Sequence, residues 1–418
     1  MKETKFKNTE IGRIPEDWEM YSIGKDCSVK ARIGWQGLTT SEYLQTGHYG
    51  LITSTDLIEG KVNWDTCVFV SEERYKQDTN IIVKNGDVLV SKDGTIGKVA
   101  VVSNLQYPTT LNSGVFVIRT KNEKITQEGL GLVFISPYFK DFIKRLTAGS
   151  TIVHLYQKDI VNFTFPIPTL PEQHCISSAL TSIDNLISSL GKLIEKKKNI
   201  KQGAMQQLLT GKTRLKGFNE PWVEHTIDEL FDLGNGYTPS KSNPAYWTNG
   251  TIPWFRMEDI RTNGRILKDS IQHVTPEAVK GNGLYPKYSI ILSTTATIGE
   301  HALLIADSLA NQQFTFLNRK VNRRDMIDII FFYHYCFILG KWCRDNINAG
   351  GLLAVNMDDL KNHSIYIPKS IAEQQAIATI LTKMDDEITA LEAKRAKYEA
   401  IKQGMMQQLL TGKIRLIS

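Results

Sequence analysis

The sequence predicts an α+β chain built twice over. Two pseudo-symmetric bodies, each a twisted antiparallel sheet with helices, are separated by two long antiparallel coiled-coil helices. Three observations predict this. The chain of 418 residues repeats itself at an offset of 201. Each copy ends in a long apolar stripe at heptad spacing. The residues ahead of each stripe are short apolar runs broken by Gly and Asn. A chain of this length exceeds one ordinary core, so two or more globular units are expected in any case.

The repeat is densest at the copy ends. Residues 201–215, KQGAMQQLLTGKTRL, return as residues 402–416, KQGMMQQLLTGKIRL, with 13 of 15 positions identical. Extending the alignment back to Pro171 and Ala372 gives 23 identities in 45 positions. Fainter pairs precede it: Trp18 with Trp222, Ser91, Thr95 and Gly97 with Ser293, Thr297 and Gly299, and Ala148-Gly149 with Ala349-Gly350. Solenoid periods run to roughly 50 residues, so a period this long describes a duplicated domain. The helices stayed alike while the bodies diverged. That is expected if the helices meet a common partner and the bodies meet different ones.

The stripes predict rods. The first runs through Ile176, Leu180, Ile183, Ile187, Leu190 and Ile194. The second runs through Ile377, Leu381, Met384, Ile388 and Leu391, and resumes at Tyr398, Met405 and Leu409 after Arg395. Alternating steps of 4 and 3 are coiled-coil spacing. Glu172-Gln173 and Glu373-Gln374 place acceptors in the first turn, at the positive end of the helix dipole. Gly211 and Gly412 supply left-handed caps at the other end. About 38 residues at a rise of 1.5 Å gives a rod of roughly 57 Å, over three times the length of a mean helix. Lys196, Lys197 and Lys198 are expected on a solvated face of the first rod.

In the first body, residues 50–53, 87–91, 99–102 and 114–118 read as strands, and 137–146 as a helix. In the second body, residues 252–255, 289–292 and 302–305 read as strands, and 326–342 as a buried helix. That apolar segment is too short to be a membrane span. The expected boundaries are 1–166 for the first body, 167–212 for its rod, 213–367 for the second body and 368–418 for the second rod.

Composition narrows the function classes. The 50 Lys+Arg against 44 Asp+Glu give a net charge of +6, mild but compatible with a polyanionic partner. Five cysteines without a C-x-x-C pair or histidines at zinc spacing read as reduced thiols of a cytoplasmic protein. The polar first ten residues lack a secretory pattern. Catalytic look-alikes fail on context. Residues 231–236 resemble a glycine loop for S-adenosylmethionine and 243–246 an adenine-methyltransferase motif, but no βαβ unit intervenes and Ala245 replaces a required Pro. Gly211, Lys212 and Thr213 resemble the end of a phosphate loop, yet Gln206 stands where its leading Gly belongs. The chain reads as non-catalytic, with no cofactor or metal of its own.

Amides, hydroxyls and a few cations gather instead in Gly-rich loops: 32–40, 91–98 and 110–113 in the first body, and 236–241, 293–297 and 311–313 in the second. These groups suit base-edge readout and phosphate contact. The candidate DNA contacts are Trp35, Gln36, Lys92, Thr95 and Asn112, with Tyr237, Thr238, Lys241, Arg256, Thr294, Gln312 and Gln313.

Three stretches carry a family resemblance. They are Gly236, Thr238, Pro239 and Ser240 with Tyr246, Trp247 and Gly250–Trp254; Pro168 with Glu172-Gln173 and Pro368 with Glu373-Gln374; and the Met-Gln-Gln-Leu-Leu-Thr-Gly-Lys rod endings. On these the chain resembles the specificity subunit of type I restriction-modification enzymes over essentially its whole length. The first body has Gly37, Leu38, Thr39 and Thr40 in place of the Thr-Pro-Ser form and resembles a different recognition subtype. The resemblance implies two target-recognition domains on double-stranded DNA, one per half of a bipartite target, with the helices setting an unspecified spacer. It implies two methyltransferase subunits on the helices, bringing S-adenosylmethionine, and ATP- and Mg2+-dependent restriction subunits joining that core. A specificity subunit of a related type IIB or phage-defence system, or a self-contained DNA methyltransferase, remains the alternative.

Overall fold

The computed structural model describes residues 5–147, 154–281, 283–348 and 353–416, with the side chain of Trp35 outside that description. The paired Ala148-Gly149 and Ala349-Gly350 also lie outside the described residues. The chain divides into two compact units, Met1–Gly191 with Ala393–Ser418, and Lys192–Glu392. Each unit therefore holds one body and a half of each rod.

In the first unit a six-stranded sheet runs in the order Cys27–Lys30, Val115–Thr120, Val88–Ser91, Val99–Val101, Gly60–Val62, Leu57–Ile58. A three-stranded sheet runs Thr109–Leu111, Tyr49–Ile52, Val68–Val70. Pairing is antiparallel except for Val99–Val101 with Gly60–Val62, and Thr109–Leu111 with Tyr49–Ile52. In the second unit the large sheet runs Phe231–Asn235, Phe314–Arg319, Ile290–Ser293, His301–Leu304, Ile266–Leu267, and the small one His273–Val274, Ile252–Phe255, Leu309–Ala310. Its parallel pairs fall at the corresponding places. In these two sheets the strand order is the same in both units, with one extra edge strand in the first. Alternating hydrophobicity predicts strands but not direction, so these parallel pairs were invisible in the pattern.

Helix Pro137–Thr147 forms as expected. The buried helix of the second unit spans Ile329–Asp345, beginning three residues later than its apolar run. Asp328 explains the shift: its carboxylate accepts from the amides of Ile330 and Phe331 and caps the helix there. Helix Gln127–Ile135 was not expected, because Gly129 and Gly131 interrupt it. Both glycines answer close packing. A Cβ on Gly129 would lie 2.5 Å from Gln173 Oε1, and one on Gly131 would lie 2.7 Å from Val101.

The rods are helices Leu170–Leu208 and Ile371–Leu409, 39 residues each. Gly211 and Gly412 follow them at φ of +70° and +69°. The rod halves run antiparallel within each unit. In the first, Ile176 and Leu180 pack on Met406, Leu409 and Leu410, and Asp184 accepts from Lys402 at 2.6 Å. In the second, Ile377, Ala378 and Leu381 share a core with Leu208 and Leu209, and Asp385 accepts from Lys201 at 2.5 Å. These two ion pairs are one repeat position seen twice. Lys197 and Lys198 also bridge the rods, to Glu387 and Glu392.

Glu172 and Glu373 do more than face a dipole. Both are fully buried at the start of a rod. Glu172 accepts from Arg415 at 2.7 and 2.8 Å and from Trp18 Nε1 at 2.9 Å. Glu373 accepts from Arg214 at 2.6 and 2.7 Å. The neighbouring amides fix each rod to its body: Gln173 accepts from Thr126 N and donates to Pro168 O, and Gln374 accepts from Asp328 N and donates to Pro368 O. Among the described residues no helix is long and apolar enough to cross a membrane.

Candidate nucleic-acid interface

In the first unit three chain segments meet at one end of the large sheet. The 91–98 turn is tied by Ser91, whose hydroxyl donates to Thr95 O at 2.6 Å and accepts from Lys98 N at 2.9 Å. Gly97 closes it at φ +75°, donating its amide to Ser91 O. The 112–114 turn docks through Lys92 N donating to Gly114 O. The third segment, distant in sequence, arrives through an isolated bridge between Asp93 and His154, with Leu155 N donating to Lys92 O.

The second unit repeats the backbone bonds of this frame, with the serine hydroxyl turned to a different carbonyl of the turn. Ser293 donates to Thr295 O, and Gly299 donates to Ser293 O at φ +86°. Thr294 N donates to Gln313 O. The third segment is held by the Thr295–Ala354 bridge and by Val355 N donating to Thr294 O. Fold and hydrogen-bond pattern therefore match residue 92 with 294, 93 with 295, 114 with 313, and 154 to 156 with 354 to 356.

Against this frame the expected contacts fall into two groups. Lys92, Thr95 and Asn112 are brought together in the first unit, and Thr238, Thr294, Gln312 and Gln313 in the second. Thr95, Thr238, Lys241 and Gln312 are exposed. Thr238 donates to Gln312 Oε1 at 2.5 Å, and Asn311 Nδ2 to Gln313 Oε1 at 3.2 Å, so these amides stand in a preset orientation. Lys92 is half-buried, with Nζ 5.4 Å from the Phe116 ring centroid, and the remaining ones have polar atoms engaged by the fold. Asn112 caps its turn by accepting from Gly114 N at 2.7 Å and donates to the Tyr43 hydroxyl. Asn311 makes the same cap on Gln313 N. Thr294 is 6% exposed with its hydroxyl 3.0 Å from that of Thr315. Tyr237 donates its hydroxyl to Ala278 O and accepts from Trp254 Nε1 through its carbonyl.

Gln36 and Arg256 lie on other loops. Gln36 sits in the short turn Gly34–Gln36, with its Oε1 buried and without a hydrogen-bond partner among the described residues. That loop leaves the sheet at Arg32, which is 1% exposed and donates to Leu111 O and Thr110 Oγ1. Burial lowers its pKa, though an arginine stays charged at any physiological pH. Arg256 lies over the Trp254 ring at 5.7 Å and pairs with Glu258 at 2.9 Å, leaving Nε without a hydrogen-bond partner among the described residues.

Sequence reasoning did not single out Asp93, His154 or Tyr156. His154 Nδ1 faces Asp93 Oδ1, and its ring packs 4.6 Å from Tyr156. Lys158 Nζ lies 5.4 Å from the same tyrosine ring. Residues 93 and 154 are far apart in the chain, and no local pattern joins them. The one available signal was the motif Ser-x-x-x-Thr-Ile-Gly, which marks the shared turn but not what docks on it.

The arrangement presents polar side chains on a rigid backbone frame, which suits hydrogen-bonding recognition. The profile of the type I restriction modification DNA specificity domain matches residues 15–202 and 219–403. A stretch covering 40% of this chain and 43% of the relative is 47% identical to the EcoprrI type I restriction enzyme specificity subunit of Escherichia coli. The MjaIX specificity subunit of Methanocaldococcus jannaschii is 23% identical over 99% of this chain and 97% of its own. The crystal structure of the type I restriction-modification S subunit from M. genitalium superposes at a TM-score of 0.57 and 15% identity, covering 94% of this chain and 96% of that one. With the family profile matched in both copies, the chain belongs to the type I restriction-modification DNA specificity subunits.

Proposed function

We propose that this chain reads a bipartite double-stranded DNA target, one half-site per body, and performs no chemistry itself. The observation that carries the reading is the loop frame found in both units with different side chains mounted on it. The exposed Thr95, Thr238, Lys241 and Gln312 and the half-buried Lys92 and Gln313 would touch DNA, together with Trp35, Gln36 and Arg256. Asn112, Tyr237 and Thr294 would position their loops. Amides pair with adenine edges and cations with guanine or phosphate.

In this reading the rods dock two methyltransferase subunits and fix the spacer between half-sites, and restriction subunits join through that core. Aliphatic side chains left uncovered on the rods support a protein partner: Leu186 and Ile401 in the first unit, Leu193 and Ile200 in the second. S-adenosylmethionine, ATP and Mg2+ would then belong to the partners, and the assembly to the cytoplasm. Mapping methylated adenines genome-wide with and without the gene tests the reading. A bipartite motif that disappears with the gene supports it, and an unchanged methylation map ends it.

A further inference from the structure

The two units share one backbone frame, so positions that do the same work in both cannot make them read different sequences. Ser91 and Ser293 tie the turn, Asn112 and Asn311 cap the neighbouring turn, and Leu155 and Val355 are the buried residues of the docked segment. Discrimination must reside where the frame is common and the side chains differ. The sharpest such place is the bridge. Asp93 and His154 face one another in the first unit, where Thr295 and Ala354 stand in the second. Successive residues of an extended segment point to opposite faces. With Leu155 buried, residues 154 and 156 are turned outward together, and Tyr156 is 53% exposed. Its counterpart, Asn356, is instead engaged as a helix cap, accepting from the amides of Asp358 and Asp359.

We propose that Asp93, His154 and Tyr156 are specificity-determining residues of the first body, contacting base edges of its half-site. The inference rests on the DNA-reading function above and names the residues that perform it. Asp93 can accept from an exocyclic amine such as cytosine N4. Its carboxylate faces His154 Nδ1, which leaves Nε2 free to meet a base, and Tyr156 supplies a donor hydroxyl on a ring braced by His154. Lys158, over the same ring, is placed for the adjoining phosphate. Thr295 and Ala354 offer a hydroxyl and a methyl at the same frame positions, a surface suited to a different base pair.

The test uses the full chain expressed with a methyltransferase subunit it supports, and reads the methylated motif by genome-wide adenine mapping. The double variant D93T/H154A should relax or change one or two positions in one half-site, with about 5- to 150-fold less discrimination at each. The other half-site should not move. If the double variant does not methylate, the near-isosteric D93N and Y156F decide the matter: relaxation in that same half supports the proposal. A wild-type motif from the variants overturns it. Should the wild-type chain itself direct no bipartite motif, the DNA-reading function fails, and that outcome is distinct from failure of this assignment.

Discussion

At the residue scale, the duplication provides internal controls. Gly94 and Ala296 occupy the same turn position, at φ of +68° and +59°. An alanine in that left-handed region is strained by roughly 1 kcal/mol relative to glycine. Ala296→Gly should therefore stabilise the second unit by about that amount in chemical denaturation, whereas Gly94→Ala should destabilise the first. The rod-start ion pairs offer a second control. Removing the Arg415 guanidinium with Arg415→Met leaves Glu172 buried and uncompensated, at a cost of roughly 3 kcal/mol. Arg415 is 7% exposed and Arg214 is 30% exposed at the side chain. Water can thus partly replace Arg214, and Arg214→Met should cost less. Equal losses in denaturant midpoint would show that burial of the arginine does not set the energetics.

At the scale of elements, helix Ile329–Asp345 carries His334, and strand His301–Leu304 carries His301. Burial, with Arg265 adding to it for His301 and Lys201 for His334, lowers each pKa to about 3. His334 Nδ1 and His301 Nε2 have no hydrogen-bond partner among the described residues. Both histidines are neutral in the fold and gain a proton on unfolding below their unfolded value of about 6.5. Their contribution is complete above that pH and is lost progressively as pH falls toward 3. Each adds a slope of roughly 1.4 kcal/mol per pH unit in that window. The described histidines of the first unit, His48, His154 and His174, are exposed or partly so. Acid should therefore raise hydrogen exchange in the second unit first, and His301→Phe should blunt the effect. A first unit that loosens at the same pH would contradict this account. The rods carry a separate prediction. Inserting seven residues near Ser188 keeps the apolar seam in phase and lengthens the rod by roughly 10 Å, which bounds the change in target spacer at about three base pairs. A two-residue insertion rotates the stripe by roughly 200° and should unfold the pair. An active seven-residue variant with an unchanged spacer would reduce the rods to scaffold. Rods, caps and the most apolar strands, such as Val88–Ser91 and Ile290–Ser293, were legible because each is a local pattern. Strands Phe231–Asn235 and Phe314–Arg319 were not singled out. Helix Gln127–Ile135 was not, since its glycines are dictated by Gln173 and Val101 across the fold. Nor was the third loop segment, whose partner lies some 60 residues away.

At the scale of the whole molecule, the chain is cut between units in the middle of both rods. The last 26 residues, Ala393–Ser418, belong with the first body, where Arg415 reaches Asp17 and Glu172. Truncation after residue 392 should consequently expose the first unit to proteolysis while the second, Lys192–Glu392, keeps its protection. Reading the chain as two linear repeats makes the reverse prediction, because it places the missing piece beside the second body. The duplicated sequence announced two units but not this exchange of rod halves, because heptad spacing does not say which helix half meets which body. The central claim is that each body sets its own half of the target. It is tested most directly by replacing residues 20–165 with the corresponding body of a relative of known specificity, then mapping methylated adenines in cells. One half of the bipartite motif should change to that of the donor while the other half and the spacer stay as they were. A motif in which both halves change together, or neither does, would contradict the account.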